Sequence, residues 1–146
     1  YDITVLGFIQ QAYDAQVNGI ISAIEKAHNN LKPGYILINK GDLSNASYNR
    51  SKPAYENNPS DERDSYNSDI QKEMTVLKFM TAGNQEIGMI SWFATHPNAM
   101  GKDLTLQSSD NKGYASYLFE RKLKGSTYNN TNDFVAAFAI SNAGDM

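Results

Sequence analysis

The sequence predicts an α/β domain in which a mixed β-sheet is layered with helices, and three observations carry that expectation. Strand-like apolar runs alternate with stretches of helical period along the chain, the pattern of a layered α/β arrangement. Residues 73–96 hold two strand-like runs joined by the short turn Ala82-Gly-Asn-Gln85, so at least one strand pair is antiparallel. The second of these runs, with Ile87, Met89, Ile90, Trp92, Phe93 and Ala94, is too continuously apolar for a strand with one wet face, and Pro97 then ends ladder pairing.

The elements follow in order. Residues 3–9 are rich in β-branched side chains and read as a short strand. From Ala12 to about Asn30 the period changes. Val17, Ile20, Ile21 and Ile24 fall at i, i+3, i+4 and i+7, one apolar stripe on a helix, and Pro33-Gly34 breaks the chain after it. His28 stands in the last turn, where the helix dipole favours a cation, so it reads as a helix-end residue rather than a ligand. Tyr35-Ile-Leu-Ile-Asn39 is a second strand, with Gly41-Asp42 as the turn that ends it.

Residues 43–69 have no usable period and contain Pro53 and Pro59. Loops of more than ~15 residues are uncommon in compact domains and are usually functional or disordered. Tyr48, Tyr55 and Tyr66, spaced through the segment, argue for order. Arg50 then offers a planar donor fork for a carboxylate, a phosphate or a polarised carbonyl, or else is a solvated surface side chain. Residues 73–80 form a third strand. Ser108-Ser-Asp110 caps a helix beginning near Asn111, with Tyr114, Ala115, Leu118 and Phe119 on one face and Gly125 ending it. Residues 134–140 are a buried strand, followed by the loop Ser141-Asn-Ala-Gly-Asp-Met146.

Length and composition narrow the function. With 146 residues, 40% of them hydrophobic, the chain can build one real core. A net charge of −3 with scattered basic residues gives no pull toward nucleic acid. Without cysteine, any metal must be held by His, carboxylate or Tyr. No apolar run approaches the ~20 residues that span a bilayer. Asn45-Ala-Ser, Asn49-Arg-Ser and Asn129-Asn-Thr match the glycosylation sequon, a pattern frequent by chance in an Asn-rich chain.

Chemistry is expected at strand ends. His96, fixed where a buried strand stops, can serve as a metal ligand or general base, or be a hydrogen-bonded structural histidine. The final loop follows another strand, and ligands of open α/β sheets sit beyond the carboxyl ends of strands. There Gly144 allows a sharp turn, and Asp145 can orient a neighbouring hydroxyl or accept from a metal-bound water.

Four stretches taken together resemble the neutral (alkaline, non-lysosomal) ceramidase family: Ala27-His-Asn-Asn-Leu-Lys-Pro-Gly34; Asn49-Arg-Ser51 with Ala54-Tyr-Glu-Asn-Asn-Pro59; Ile90-Ser-Trp-Phe-Ala-Thr-His-Pro97 with Met100; and Ser109-Asp-Asn-Lys-Gly-Tyr-Ala-Ser-Tyr117. Phe134-Val-Ala-Ala-Phe138 and Asn142-Ala-Gly-Asp145 continue the match. The resemblance implies a zinc amidohydrolase that cleaves the N-acyl bond of ceramide to sphingosine and a fatty acid, with one zinc per active site. It implies that His96 is a zinc ligand and that Arg50, Asn142 and Gly144 belong to the substrate site. It also implies that Asp145 precedes an active-site Ser expected just after Met146, which itself stands where the family more usually has Val.

On this reading residues 1–146 are a fragment of a larger catalytic domain cut at both ends, without the remaining zinc ligands and inactive alone. The implied partners are ceramide and, peripherally, the membrane surface that holds it, and the implied location is secreted or facing the cell exterior. A reading from a different class is a non-catalytic lipid-binding or interaction module on the same fold.

Overall fold

The computed structural model describes residues 7–101, 103–124 and 134–144. The chain divides into two compact units, Tyr1–Pro33 and Gly34–Met146.

The first unit is built on helix α1, Gln10–Asn29. Gln10 donates to the Asp14 carboxylate one turn on, and the Phe8 and Tyr13 rings meet at 5.5 Å across the helix start. Residues 7–9 lead into this helix without strand pairing, which corrects the short strand expected there; its first residues lie outside those described. The amide of Asn30 closes the last turn onto the carbonyls of Lys26 and Ala27. The apolar stripe is present, but Ile20, Ile21 and Ile24 are all exposed.

The second unit is a four-stranded sheet in the order β1-β2-β3-β4. Its strands are β1 (Gly34–Asp42), β2 (Glu73–Thr81), β3 (Glu86–Phe93) and β4 (Val135–Ile140). The first two pairings are antiparallel, whereas β3 and β4 run parallel, so the sheet is mixed as the sequence predicted. Antiparallel neighbours tolerate a tight turn, and Asn84 makes it here with φ 62°, while the Thr81 amide bonds the Gln85 carbonyl. Parallel neighbours need a crossover, and helix α4 (Asp110–Lys124) supplies it. Gly88 lets β4 approach, since a Cβ there would stand 2.9 Å from the Val135 carbonyl oxygen.

Met89, Phe134 and Ala136 form the buried cluster, with Val76, Phe119 and Phe138 packed against it. Phe119 of α4 stacks on Phe134 at 5.9 Å and meets Phe138 edge-on at 6.2 Å, which fixes the helix over β4. Further along β3, Ser91 is 1% exposed and Phe93 and Ala94 are buried, so the strand does deliver its end to the rim of a core.

Two local expectations change. Gly41-Asp42 is not a turn: β1 runs on to pair Asp42 with Glu73, because β2 begins there and a Lys40–Glu73 ion pair at 3.0 Å favours the register. The long segment after it holds two short helices, α2 (Lys52–Glu56) and α3 (Ser60–Arg63). Each is too short to show a period in sequence. Pro53 stands at the start of α2 and Pro59 just before α3, the positions where proline suits a helix.

Candidate active site

Parallel adjacency of β3 and β4 places the loops after their carboxyl ends side by side, which brings His96 and residues 142–144 together. The junction is tied at several points. The Ser141 amide donates to the Phe93 carbonyl at 3.3 Å. From α4, Lys112 Nζ lies 3.4 Å from the Phe93 carbonyl oxygen and 3.3 Å from that of Ala139, capping both strands with one cation. Partial burial holds the Lys112 pKa below its usual value.

The loop that carries His96 is held by the first residues of α4. The Asp110 carboxylate accepts from the amides of Ala99 at 3.0 Å and Met100 at 2.9 Å. The Met100 amide is the main cause that holds the Asp110 carboxyl below its usual value; desolvation opposes it, and the amides of Asn111 and Ala99 add to the lowering. Asp110 itself has φ 53°, a conformation that Asp tolerates better than most residues. Asn111 Nδ2 donates to the His96 carbonyl at 2.9 Å.

His96 is half-buried, and its Nε2 lies 2.9 Å from the Gly144 carbonyl oxygen. A carbonyl can only accept, so Nε2 carries the proton and the lone pair of a neutral ring stands on Nδ1. A histidine that donates one N–H to a backbone carbonyl and keeps the other nitrogen basic has the arrangement usual for a metal ligand. Among the described residues no group of three or more His, Asp or Glu side chains gathers to hold a metal ion. The stretch therefore fits a metal centre as the source of one imidazole, and a catalytic zinc takes three protein ligands.

Arg50 meets His96 here. A recess of about 150 Å³ is lined by Ser47, Arg50, Thr95, His96 and Asn111 among others. A larger cavity of about 650 Å³ lies against Asn49, Tyr55, Tyr66, Asn142 and Gly144. The two are linked through neighbours in the chain, Asn49 and Arg50, and by the bond from His96 to Gly144. The Arg50 segment is ordered by Asn49, whose Nδ2 donates to the Asp69 carbonyl at 3.3 Å and whose Oδ1 accepts from the Ser51 amide at 2.8 Å. Thus His96 and Arg50 share one cavity, Asn142 and Gly144 share the other, and Asp145 lies outside the described residues.

Sequence reasoning missed Asp110, Asn111 and Lys112 as site residues, having read Ser108-Ser-Asp110 as a cap and Asn111 as the start of the helix. The available signal was an excess of polar side chains: one residue suffices to cap a helix, and the polar run continues through Asn111 and Lys112 beyond the cap. Among the described residues no helix is long and apolar enough to cross a membrane.

The model of one protein family, described as neutral/alkaline non-lysosomal ceramidase, N-terminal, matches residues 1–146. Neutral ceramidase B of Dictyostelium discoideum is 43% identical over 146 residues, 100% of this chain and 20% of its own length. Neutral ceramidase of Oryza sativa subsp. japonica is 48% identical over 120 residues, 82% of this chain and 15% of that one. The crystal structure of neutral ceramidase from Pseudomonas aeruginosa superposes with a TM-score of 0.85 at 41% identity, covering 99% of this chain and 22% of that one. The chain thus spans about a fifth of the length of such relatives.

Proposed function

Because this chain belongs to the neutral/alkaline non-lysosomal ceramidase family, we propose that it forms part of the active centre of a zinc-dependent amidohydrolase that cleaves the N-acyl bond of ceramide. The observation that carries this reading is that Arg50 and His96, distant in sequence, line one small recess at the carboxyl end of the sheet. His96 supplies one zinc ligand through Nδ1, with Gly144 holding the ring by its carbonyl. Zinc, when bound, contributes Lewis acidity toward the amide carbonyl and toward water.

The remaining work falls to this chain's other residues. Arg50 orients the polar head of the substrate and stabilises negative charge that develops on the carbonyl oxygen. Asn142 and Gly144 line the approach. A secreted or outward-facing location and peripheral contact with the ceramide-bearing membrane belong to the same proposal.

The test is hydrolysis of a fluorogenic ceramide by the full-length protein, with and without a chelator, alongside its zinc content. Chelator-sensitive release of fatty acid supports the reading. Binding of ceramide without turnover by the zinc-loaded protein would instead establish a lipid-binding module.

A further inference from the structure

The first three residues of α4 bring their polar ends to one short stretch of chain. Lys112 meets the Phe93 carbonyl at the end of β3, Asn111 donates to the carbonyl of His96 itself, and the Asp110 carboxylate accepts from the Ala99 and Met100 amides. Residues 93–100 are thus tied before, at and after His96. Lys112 also reaches the Ala139 carbonyl, in the strand that leads to Gly144.

This convergence is not what a helix start supplies by itself. Successive side chains of a regular helix point about 100° apart, so three neighbours seldom serve one segment. Here the entry to α4 is irregular. Asp110 stands in the left-handed region with φ 53°, and at Gly113 a Cβ would collide with the Ser109 side chain, so the chain is folded closely against the first turn of α4. Ordinary capping needs one side chain on extended backbone. A strained residue persists only where its surroundings over-determine it, and such residues cluster at functional sites. Nor are these bonds required to dock α4, since Phe119 already packs the helix on Phe134 and Phe138.

We propose that Asp110, Asn111 and Lys112 are positioning residues for the metal ligand: together they fix the backbone of residues 93–100, so that the His96 imidazole is presented to zinc in one orientation. The Gly144 carbonyl holds the ring of the same residue by a separate bond. The inference deepens the zinc amidohydrolase reading and rests on it.

The test is zinc titration of the full-length, metal-stripped protein, beside thermal unfolding of that metal-free form. Asp110→Gly suits the positive φ and removes both acceptors. Asn111→Asp sets an oxygen opposite the His96 carbonyl with little change of shape, and Lys112→Met removes the cation while keeping an apolar stem. Each is expected to weaken zinc binding about 10- to 100-fold, the loss usual for groups that support a metal ligand. Because backbone strain is relieved as the two ties are lost, the metal-free Tm of Asp110→Gly is expected to move by about 4 °C at most. Combined with Gly144→Ala, Asp110→Gly should lower affinity by less than the product of the separate losses, since a ring already freed by one change loses little more from the other.

Wild-type zinc affinity in a variant would overturn the role of that residue, whatever happens to its Tm. Losses that multiply independently in the double variant would overturn the shared action on His96. A wild-type protein that binds no zinc would overturn the amidohydrolase reading and the inference with it, a result distinct from a zinc-binding wild type whose variants bind as tightly.

Discussion

The Nε2 of His96 and the carbonyl oxygen of Gly144 lie 2.9 Å apart although 48 positions separate them in the chain. The contact exists because β3 and β4 are parallel neighbours and each carries its loop to the same end of the sheet. It couples the proposed metal ligand to the loop that follows β4.

Replacing either partner separates ligation from support. In the full-length protein His96→Ala is expected to abolish both bound zinc and ceramide hydrolysis, and stoichiometric zinc in that variant would exclude the ligand role. Gly144→Ala is subtler: nothing lies within 4 Å of where a Cβ would stand, but φ is +40°. The strain of a side chain there costs about 1 kcal/mol and displaces the carbonyl. Loss of such an outer partner lowers metal affinity by about 10- to 100-fold. Zinc titration of Gly144→Ala with unchanged affinity would show that the bond does not orient the ring.

Arg50 is exposed, so its removal is expected to leave the fold nearly intact. Arg50→Ala should shift Tm by about 2–4 °C at most and express its loss in kcat/KM for ceramide. A large fall in Tm with unchanged kinetics would identify Arg50 as a structural residue.

Strong apolar periodicity and turn chemistry made β2, β3, β4, α1 and α4 legible, because those signals are local. The turn expected at Gly41-Asp42 failed for the opposite reason: a ladder partner at Glu73, more than thirty positions on, overrode local chemistry. Of the site, His96 could be read from its place after an apolar strand and Arg50 from an ordered long loop. Their meeting in one recess depends on how residues 46–50 lie against the His96 loop, which no local pattern encodes. Asn111 escaped because its tie to the His96 carbonyl joins residues 15 positions apart, and sequence gives only the residue type.

Asp110 makes the hold on the His96 loop dependent on pH. Amide donors from Met100, Asn111 and Ala99 lower its folded-state pKa below 3.8, so its contribution to stability is present above that value. It is lost as pH falls through the lower folded value, when the carboxylate takes a proton. Asp110→Asn is expected to be less stable than wild type at pH 7, with the difference narrowing as pH falls below about 4. Chemical denaturation at pH 7 and at pH 3 measures this. A gap that stays constant, or widens toward acid, would show that the charge of Asp110 does not matter to the fold.

The 146-residue chain by itself is expected neither to hydrolyse ceramide nor to hold zinc tightly, and to associate in solution. A catalytic zinc takes about three protein ligands, and the recess offers His96 alone among the described histidines. Association follows from β1. It stands at the end of the strand order, so among the described residues one of its sides has no ladder partner. Ile36 and Ile38, two residues apart and hence on one face, are 60% and 66% exposed. An apolar strand with an open edge is a template for pairing with another chain. Light scattering on the purified chain should give a mass above that of a monomer. Ile36→Lys with Ile38→Lys should lower that mass by placing charge on the exposed face, whereas association undiminished in the double variant would place the contact elsewhere. Zinc titration calorimetry and fluorogenic turnover on the same sample complete the test, and chelator-sensitive hydrolysis above a catalyst-free blank would refute the expectation.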